Sequence, residues 1–577
     1  MSRVLARSFL IIVITFSVIA CSESQKSPAE IIYVGGNLIT VNDKAPRAEA
    51  IAIKGGKIVA VGSNASVLKY LGEDTKVIEL NGETLLPGFV DAHSHFSGVG
   101  MQAITANLLP FPDGPVNSIP ALQHAMRAYI DSSPIVKKYA VAIGFNYDDS
   151  QLQEKRHPTR HDLDEISTDI PIVVMHQSGH LGVYNSKALE MMQINSQSAN
   201  PAGGVIERGS DGVTPNGVMQ ENAHFMLIYK LVPDFSKKDY VALYRAAEEQ
   251  YIANGFTTVQ EGKTDLKTLT TLPEIAESDP FKIDIIAYPD LVTIGDHPIL
   301  HGPLMSKVYA DGIRLGGIKL TFDGSPQGKT AWFTHPYLVP PAGQGQEYAG
   351  YPAFTDQQAL DWFELAYKNN WQVLSHTNGD AAIDQLIKTV SAMAEAHPNR
   401  KLRNVMIHGQ FLRLDQVKKL KQLEIFPALY PMHTFYWGDW HRDSVAGLAR
   451  ANNISPTGWL MDENMMFTIH SDAPVTFPNS MRLIDSAVNR TTRSNAVLGK
   501  EQRIEPLDAI KAMTLWAAYQ HFEEDIKGSL EVGKNADLVI LDKNPLSVAP
   551  NLIKDIRVLE TIKDGDVIYL SPGRVSQ

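Results

Sequence analysis

Two histidines, His93 and His95, flank a single serine in the stretch FVDAHSHF at residues 89–96. On an extended chain, residues two apart share a face. Both imidazoles of such a pair point the same way, and together they can grip a metal ion from one rigid element. Three further runs end in a metal-capable side chain: WQVLSH in His376, NVMIH in His408 and FTIHSD in Asp472. Neutral imidazole and carboxylate suit Zn²⁺, provided one coordination position stays open for water. Water held by such an ion ionises near neutral pH and becomes a nucleophile. One buried histidine usually just satisfies a hydrogen bond. Five metal-capable residues at strand ends point instead to a metal centre.

These residues must be carried by elements that converge. The central part of the chain alternates short apolar runs with helical patterns. The runs are YAVAIGF, IPIVVMHQSG, GFTTVQEG, KIDIIAYP, GGIKLTFDG, WQVLSHTNG, RNVMIHGQ, EIFPALYP and MMFTIHSDAP. Amphipathic stretches such as DQQALDWFELAYKNN and AAIDQLIKTVSAMAEAHPN lie between several of them. Buried strands alternating with helices make a parallel sheet. This many of them predicts an α/β fold with a closed (β/α)₈ TIM-type barrel over residues 88–524. Barrels of this type carry their chemistry at the C-terminal ends of the strands, where His93 and His95 would sit. An open doubly wound sheet is the runner-up, but no Gly-rich phosphate loop follows an early strand. Residues 97–225 hold few strand–helix units and much Pro and Gly, so they read as an insertion over the barrel mouth. Residues 31–87 and 525–577 are β-rich, with Gly-rich turns, and predict one small sheet domain built from both chain ends.

The formal net charge of the 577-residue chain is −12, which argues against nucleic acid or an anionic membrane as a direct ligand of the folded body. The N-terminus reads as a separate segment. Arg3 and Arg7 precede an apolar run from Phe9 to Ala20, too short for a comfortable membrane span. Val18-Ile19-Ala20-Cys21 resembles a bacterial lipobox. The favoured reading makes residues 1–20 a lipoprotein signal peptide, Cys21 the lipidated residue and 21–30 a polar tether; the alternatives are an uncleaved anchor or plain secretion. Ser22 after the cysteine suggests a periplasm-facing position on the outer membrane of a Gram-negative bacterium. Cys21 is the only cysteine, so the chain has no internal disulfide.

LPGFVDAHSH, a late pair of strand-end histidines and then HSDAP resemble the amidohydrolase superfamily. The C-terminal GSLEVGKNADLVILD strengthens the likeness, because many members close a small β-sandwich with such a segment. Within the superfamily, MHQSGHLGVYNSKALE, GGVIERGSDGVTPNGVMQENA, GGIKLTFDGSPQGKTAWFTHPY and HTNGDAAID are similar to the branch containing N-substituted formamide deformylase. The resemblance runs from about residue 31 to 545.

That resemblance implies His93, His95, His376 and His408 as ligands of one or two divalent ions, with Zn²⁺ expected. It implies Asp472 as a metal contact that also takes a proton from the bound water. In many members a strand lysine is carboxylated and bridges two metals, and Lys319 stands at that place. The other reading pairs Lys319 with Asp323 or Glu261 and leaves one metal. His180 is a catalytic candidate that would polarise a substrate carbonyl, or else it pins the insertion. Glu221 is a ligand candidate or a helix-surface glutamate. His470, two before Asp472, replaces the small residue of many relatives. Ile407 and Ala381 replace the usual glutamate and arginine. YPMHTFYWGDWH, residues 430–441, is either an apolar wall for substrate or packing of a lid against the barrel.

The expected function is hydrolysis of non-peptide carbon–nitrogen bonds in a small amide-type substrate by metal-hydroxide attack. Alternatives are a deaminase or a lactone or ester hydrolase on the same scaffold, or a non-catalytic lipid-anchored binding protein. The expected partners are a small-molecule substrate and, through the N-terminal lipid, the membrane. Nucleic acid is excluded and a homodimer stays open.

Overall fold

Eight parallel strand positions carry the motif residues. The computed structural model describes residues 27–341 and 343–574. Strand β1 (Phe89–Val90) pairs with β2 (Phe256–Thr264), and β2 with β3 (Asp284–Pro289). Next comes β4, Ile313–Leu315 continued past Gly316 and Gly317 as Ile318–Thr321. Then follow β5 (Val373–Thr377), β6 (Val405–His408), β7 (Phe426–Leu429) and β8 (Thr468–Ile469), each parallel to the one before. The last position meets the first. Asp472 N–H donates to the His93 carbonyl at 3.2 Å, and His95 N–H donates to the Ala473 carbonyl at 2.7 Å. The residues just past β1 and just past β8 therefore lie side by side. These strands are buried along nearly their whole length, as parallel strands covered by helices must be.

The covering helices follow from local chemistry. Thr355 caps the helix Asp356–Asn369 and forms a capping box with Gln358. Its buried face is Ala359, Phe363, Ala366 and Tyr367, a helical stripe. Asn370 ends it with φ of 60°, a conformation asparagine tolerates.

Residues 106–221 form a separate six-stranded sheet. Its order is 204–208, 215–221, 181–184, 172–176, 142–147 and 106–107. The runs YAVAIGF and IPIVVMHQSG, expected among the barrel strands, pair with each other here instead. A short, fully buried run shows that a strand is covered but not which sheet takes it. This sheet has its own core, including Leu108, Met126, Tyr147, Ile172 and Val183.

Both chain ends meet in a six-stranded sheet. Strands 37–39, 47–48 and 84–87 join strands 538–541, 558–563 and 566–570. A four-stranded sheet of residues 31–34, 50–54, 57–62 and 76–79 lies against it. Tyr33, Ile51 and Ile53 share one core with Leu85, Leu538 and Ile540. Buried ion pairs tie this region to β3: Asp284 lies 2.7 Å from Lys527 and 3.1 Å from Lys563. Among the described residues, no helix is long and apolar enough to cross a membrane. Residues 1–26, and with them Cys21 and the apolar run, lie outside the described residues.

Candidate metal centre and active-site cavity

The strand ends converge on one cluster. Asp472 Oδ1 lies 3.4 Å from His93 Nε2 and 3.4 Å from His95 Nε2. His408 Nε2 lies 4.0 Å from Asp472 Oδ2. His376 joins through its ring, 4.5 Å from that of His408. Lys319 Nζ is 3.0 Å from His93 Nε2. All of these but His95 are buried. The sequence-predicted ligands are thus brought together, His376 a little to one side.

His93 is held in one tautomer. Its Nδ1 lies 2.5 Å from Gln260 Oε1, and Gln260 in turn donates its amide to the Ala92 carbonyl at 2.8 Å. That second bond fixes which end of the amide is oxygen. His93 Nδ1 must therefore carry the proton and Nε2 the lone pair. The lone pair faces Asp472 and Lys319. Asp91 supports the turn by accepting from the backbone N–H groups of His93 and Gln260. Burial pushes the Asp91 carboxyl up to about 7.

The electrostatics favour a cation at this point. Burial, and then neighbouring positive charge, holds His93, His376 and His408 well below the usual imidazole range, so they stay neutral and free to ligate. Asp472 Oδ1, His376 Nδ1, His408 Nδ1 and both ring nitrogens of His470 are buried without a hydrogen-bond partner. Each such group costs about 1–3 kcal/mol. Within this cluster two groups have ligand atoms close enough for one ion: His93, His95 and Asp472, and His408, His470 and Asp472. The donor set fits a divalent metal.

Backbone geometry is unusual here. His408 has φ of 75°, Asp472 of 52° and Glu221 of 51°, a region that non-glycine residues seldom adopt. Strain of this kind persists where the surroundings over-determine it, which is common at functional sites.

Lys319 has neither of the carboxylate partners weighed from sequence. Asp323 is occupied by the backbone N–H groups of Trp332, Asn378 and Gly379, at 3.0, 2.9 and 2.8 Å. Glu261 accepts from Ser97 N–H at 2.5 Å. Burial lowers Lys319 from the usual lysine range to about 7.

The cluster opens into a cavity of about 450 Å³, lined by His95, His180, Lys319, His376, His408 and Asp472. His180 Nδ1 lies 2.7 Å from Glu221 Oε2, and its ring stands 5.1 Å from that of His376. Glu221 ends the buried strand Pro215–Glu221 and is itself buried, so it is not a helix-surface residue. The sequence VMQENA looked helical because the helix begins one residue later, at Asn222. The cavity walls include Phe145, Phe225, Tyr229, Phe235, Tyr240 and Tyr244. The aromatic segment 430–441 is not among them. It forms a helix over Met432–Trp440, with Trp437 Nε1 bonded to Asp148 at 2.8 Å and Tyr436 OH to Asp113 at 2.5 Å. Of its two readings the packing one holds, though these bonds run to the insertion rather than to the barrel.

Residues 76–569 match the amidohydrolase family. The chain belongs to that family. Among curated relatives, N-substituted formamide deformylase of Arthrobacter pascens is 24% identical over 559 residues, covering 94% of this chain and 99% of the relative. LONG AFTER FAR-RED 3 of Arabidopsis thaliana is 26% identical and covers 94% and 92%. A solved metal-dependent hydrolase of Pyrococcus horikoshii, uncharacterised beyond that description, superposes with a TM-score of 0.70 at 22% identity. It covers 90% of this chain and 99% of its own. That likeness is one of fold.

Gln260 escaped the sequence reading of this amidohydrolase, whereas Glu221 and His470 are singled out there without their partners. Gln260 sets the His93 tautomer, and its only signal was a polar residue inside an apolar run. Glu221 orients His180 across two strands of the insertion sheet. In the sequence His470 only replaces a small residue of many relatives; in the fold its ring lies 5.2 Å from that of His93 and 5.0 Å from that of His408.

Proposed function

We propose that this amidohydrolase hydrolyses a non-peptide carbon–nitrogen bond in a small amide. The carrying observation is the Asp472 carboxylate, 3.4 Å from both His93 and His95 at the floor of the cavity. We read the eight strand positions, joined between Asp472 and His93, as the closed (β/α)₈ barrel, and the two terminal sheets as its β-sandwich. His93, His95, His376, His408 and Asp472 would hold one or two divalent ions, with Zn²⁺ the expected ion and His470 a further donor. Lys319, buried and without an ion pair, would serve as an N6-carboxylysine ligand. When bound, the metal supplies a Lewis acid and a water of lowered pKa.

The chain's own residues do the rest. Asp472 takes the water proton and returns it to the leaving nitrogen, acting first as base and then as acid. Gln260 keeps His93 pointed inward. Glu221 holds His180 against the cavity, where it contacts the substrate carbonyl. The insertion sheet supplies part of the walls that keep bulk water from the reacting bond. Lipid attachment at Cys21 and an outer-membrane position rest on the sequence alone.

The test is a hydrolysis screen of small formamides, acetamides, cyclic imides, aminated heterocycles, lactones and activated esters with metal-replete protein, beside elemental analysis. Amide turnover that tracks metal content is expected. Active protein free of transition metal would overturn the reading. Turnover confined to lactones or to deamination would replace it.

A further inference from the structure

Lys263 is a cavity cation that the chemistry above does not use. It lies one residue before the end of β2, half-buried, with Nζ 4.0 Å from the centre of the Phe225 ring. The charged residues near it bond to other groups, Glu221 among them through Oε2 to His180 at 2.7 Å. Lys267 pairs with Asp234 at 2.8 Å. Asp265 accepts from Thr268 N–H at 2.7 Å, capping a helix. Asp290 accepts from the Thr293 hydroxyl at 2.6 Å. Glu261 accepts from Ser97 N–H. Among the described residues, no carboxylate comes within 4.0 Å of Lys263 Nζ.

An ammonium carries three donors, and a ring face satisfies none of them as a carboxylate would. The cation–π contact contributes only about 0.5–2 kcal/mol. Lys263 is also close enough to the metal cluster for its charge to disfavour protonation of His95, His376 and Lys319. An unpaired cation, an aromatic wall and a metal-capable cluster thus share one cavity.

We propose that Lys263 receives a carboxylate of the substrate. The substrate is then a small amide bearing a carboxylate beside an aromatic or other apolar group. This rests on the amide-hydrolase reading and adds a substrate class to it. The scissile amide lies at the histidines, the carboxylate at Lys263, and the apolar group against Phe225, Tyr229 and Tyr244.

The test compares N-formylphenylalanine with N-formyl-2-phenylethylamine, which has the same amide but lacks the carboxylate. Turnover and calorimetric binding are both measured on metal-replete protein. The wild type should favour the acid by at least about tenfold, the range of one hydrogen-bonded charge. Lys263→Met should erase that preference mainly through KM, and Lys263→Arg should keep most of it. Preferential binding of the acid, lost in the Met variant, with neither compound hydrolysed would sustain the inference and overturn the hydrolase reading. Hydrolysis without preference, an equal loss on both compounds in the Met variant, or no binding of the acid would overturn the inference.

Discussion

Lys319 Nζ lies 3.0 Å from His93 Nε2, and among the described residues no carboxylate oxygen comes within 4.0 Å of it. A buried ammonium held only by an imidazole lone pair is a poor end state, because burial outweighs the attraction of Asp472 and Asp290. Carboxylation by CO₂ reverses the charge of the side chain and turns the repulsion of other cations into ligation.

Lys319→Ala should therefore lower metal affinity by more than the roughly 10–100-fold typical of outer-shell partners. Short carboxylic acids should restore part of both metal content and activity. Mass analysis at high bicarbonate should find added CO₂ on the wild type. Unchanged metal content in Lys319→Ala would remove the lysine from the ligand set.

Gln260 acts on the metal through His93 alone. Gln260→Leu keeps the volume but frees the imidazole to choose its tautomer. Metal affinity should fall about 10–100-fold with the fold intact. Gln260→Glu keeps the acceptor and should bind metal better than the leucine variant. Competition with a chelating dye reads both, and equal affinity in the two variants would mean that Gln260 only packs.

Asp472→Asn should keep much of the metal and lose about 10²–10⁴ in amide turnover. An amine leaves poorly unless protonated, whereas an activated ester needs no proton for its leaving group. The residual activity should therefore be relatively higher on activated esters. Equal loss on both substrates would leave Asp472 as a ligand without a proton-transfer role.

Acid should destabilise the metal-free protein. Burial lowers His224, His441 and His470 to about 3 and His521 to about 4. Their unfolded value is about 6.5, so between pH 4 and 6.5 the unfolded chain binds more protons and stability rises with pH. His93, His95, His376, His408 and His433 shift in the same direction. Asp91 and Glu261, raised to about 7, Asp323, raised to about 8, and Asp113, Asp485, Asp508 and Asp537, also raised by burial, work in the opposite sense but are fewer. The thermal midpoint should fall between pH 6.5 and 4.5, and His521→Gln should flatten that fall. A midpoint that rises on acidification would contradict the balance.

The sequence by itself determined which metal-capable residues stand at or just past the ends of apolar runs. His93, His95, His376, His408 and Asp472 each end or follow an apolar run, and a run of that length reports a buried strand wherever it goes. Period-two geometry placed His93 and His95 together on one face of a strand; the strand stops at Val90 and both stand in the turn just past it, with their rings 5.2 Å apart. Lys319 was legible for the same reason, as a charge in an apolar strand.

Only the tertiary structure decided how those elements meet. The contact between Asp472 and His93 spans 379 positions, and no local periodicity encodes it. The runs at 142–147 and 172–176 look like the others, yet they pair with each other in a separate sheet. Gln260 facing His93, Glu221 facing His180 and Lys263 facing Phe225 are side-chain meetings between different elements. Sequence patterns report which side of an element is buried. Which neighbour fills that side is settled by long-range packing, where register and chain crossing fix the partner.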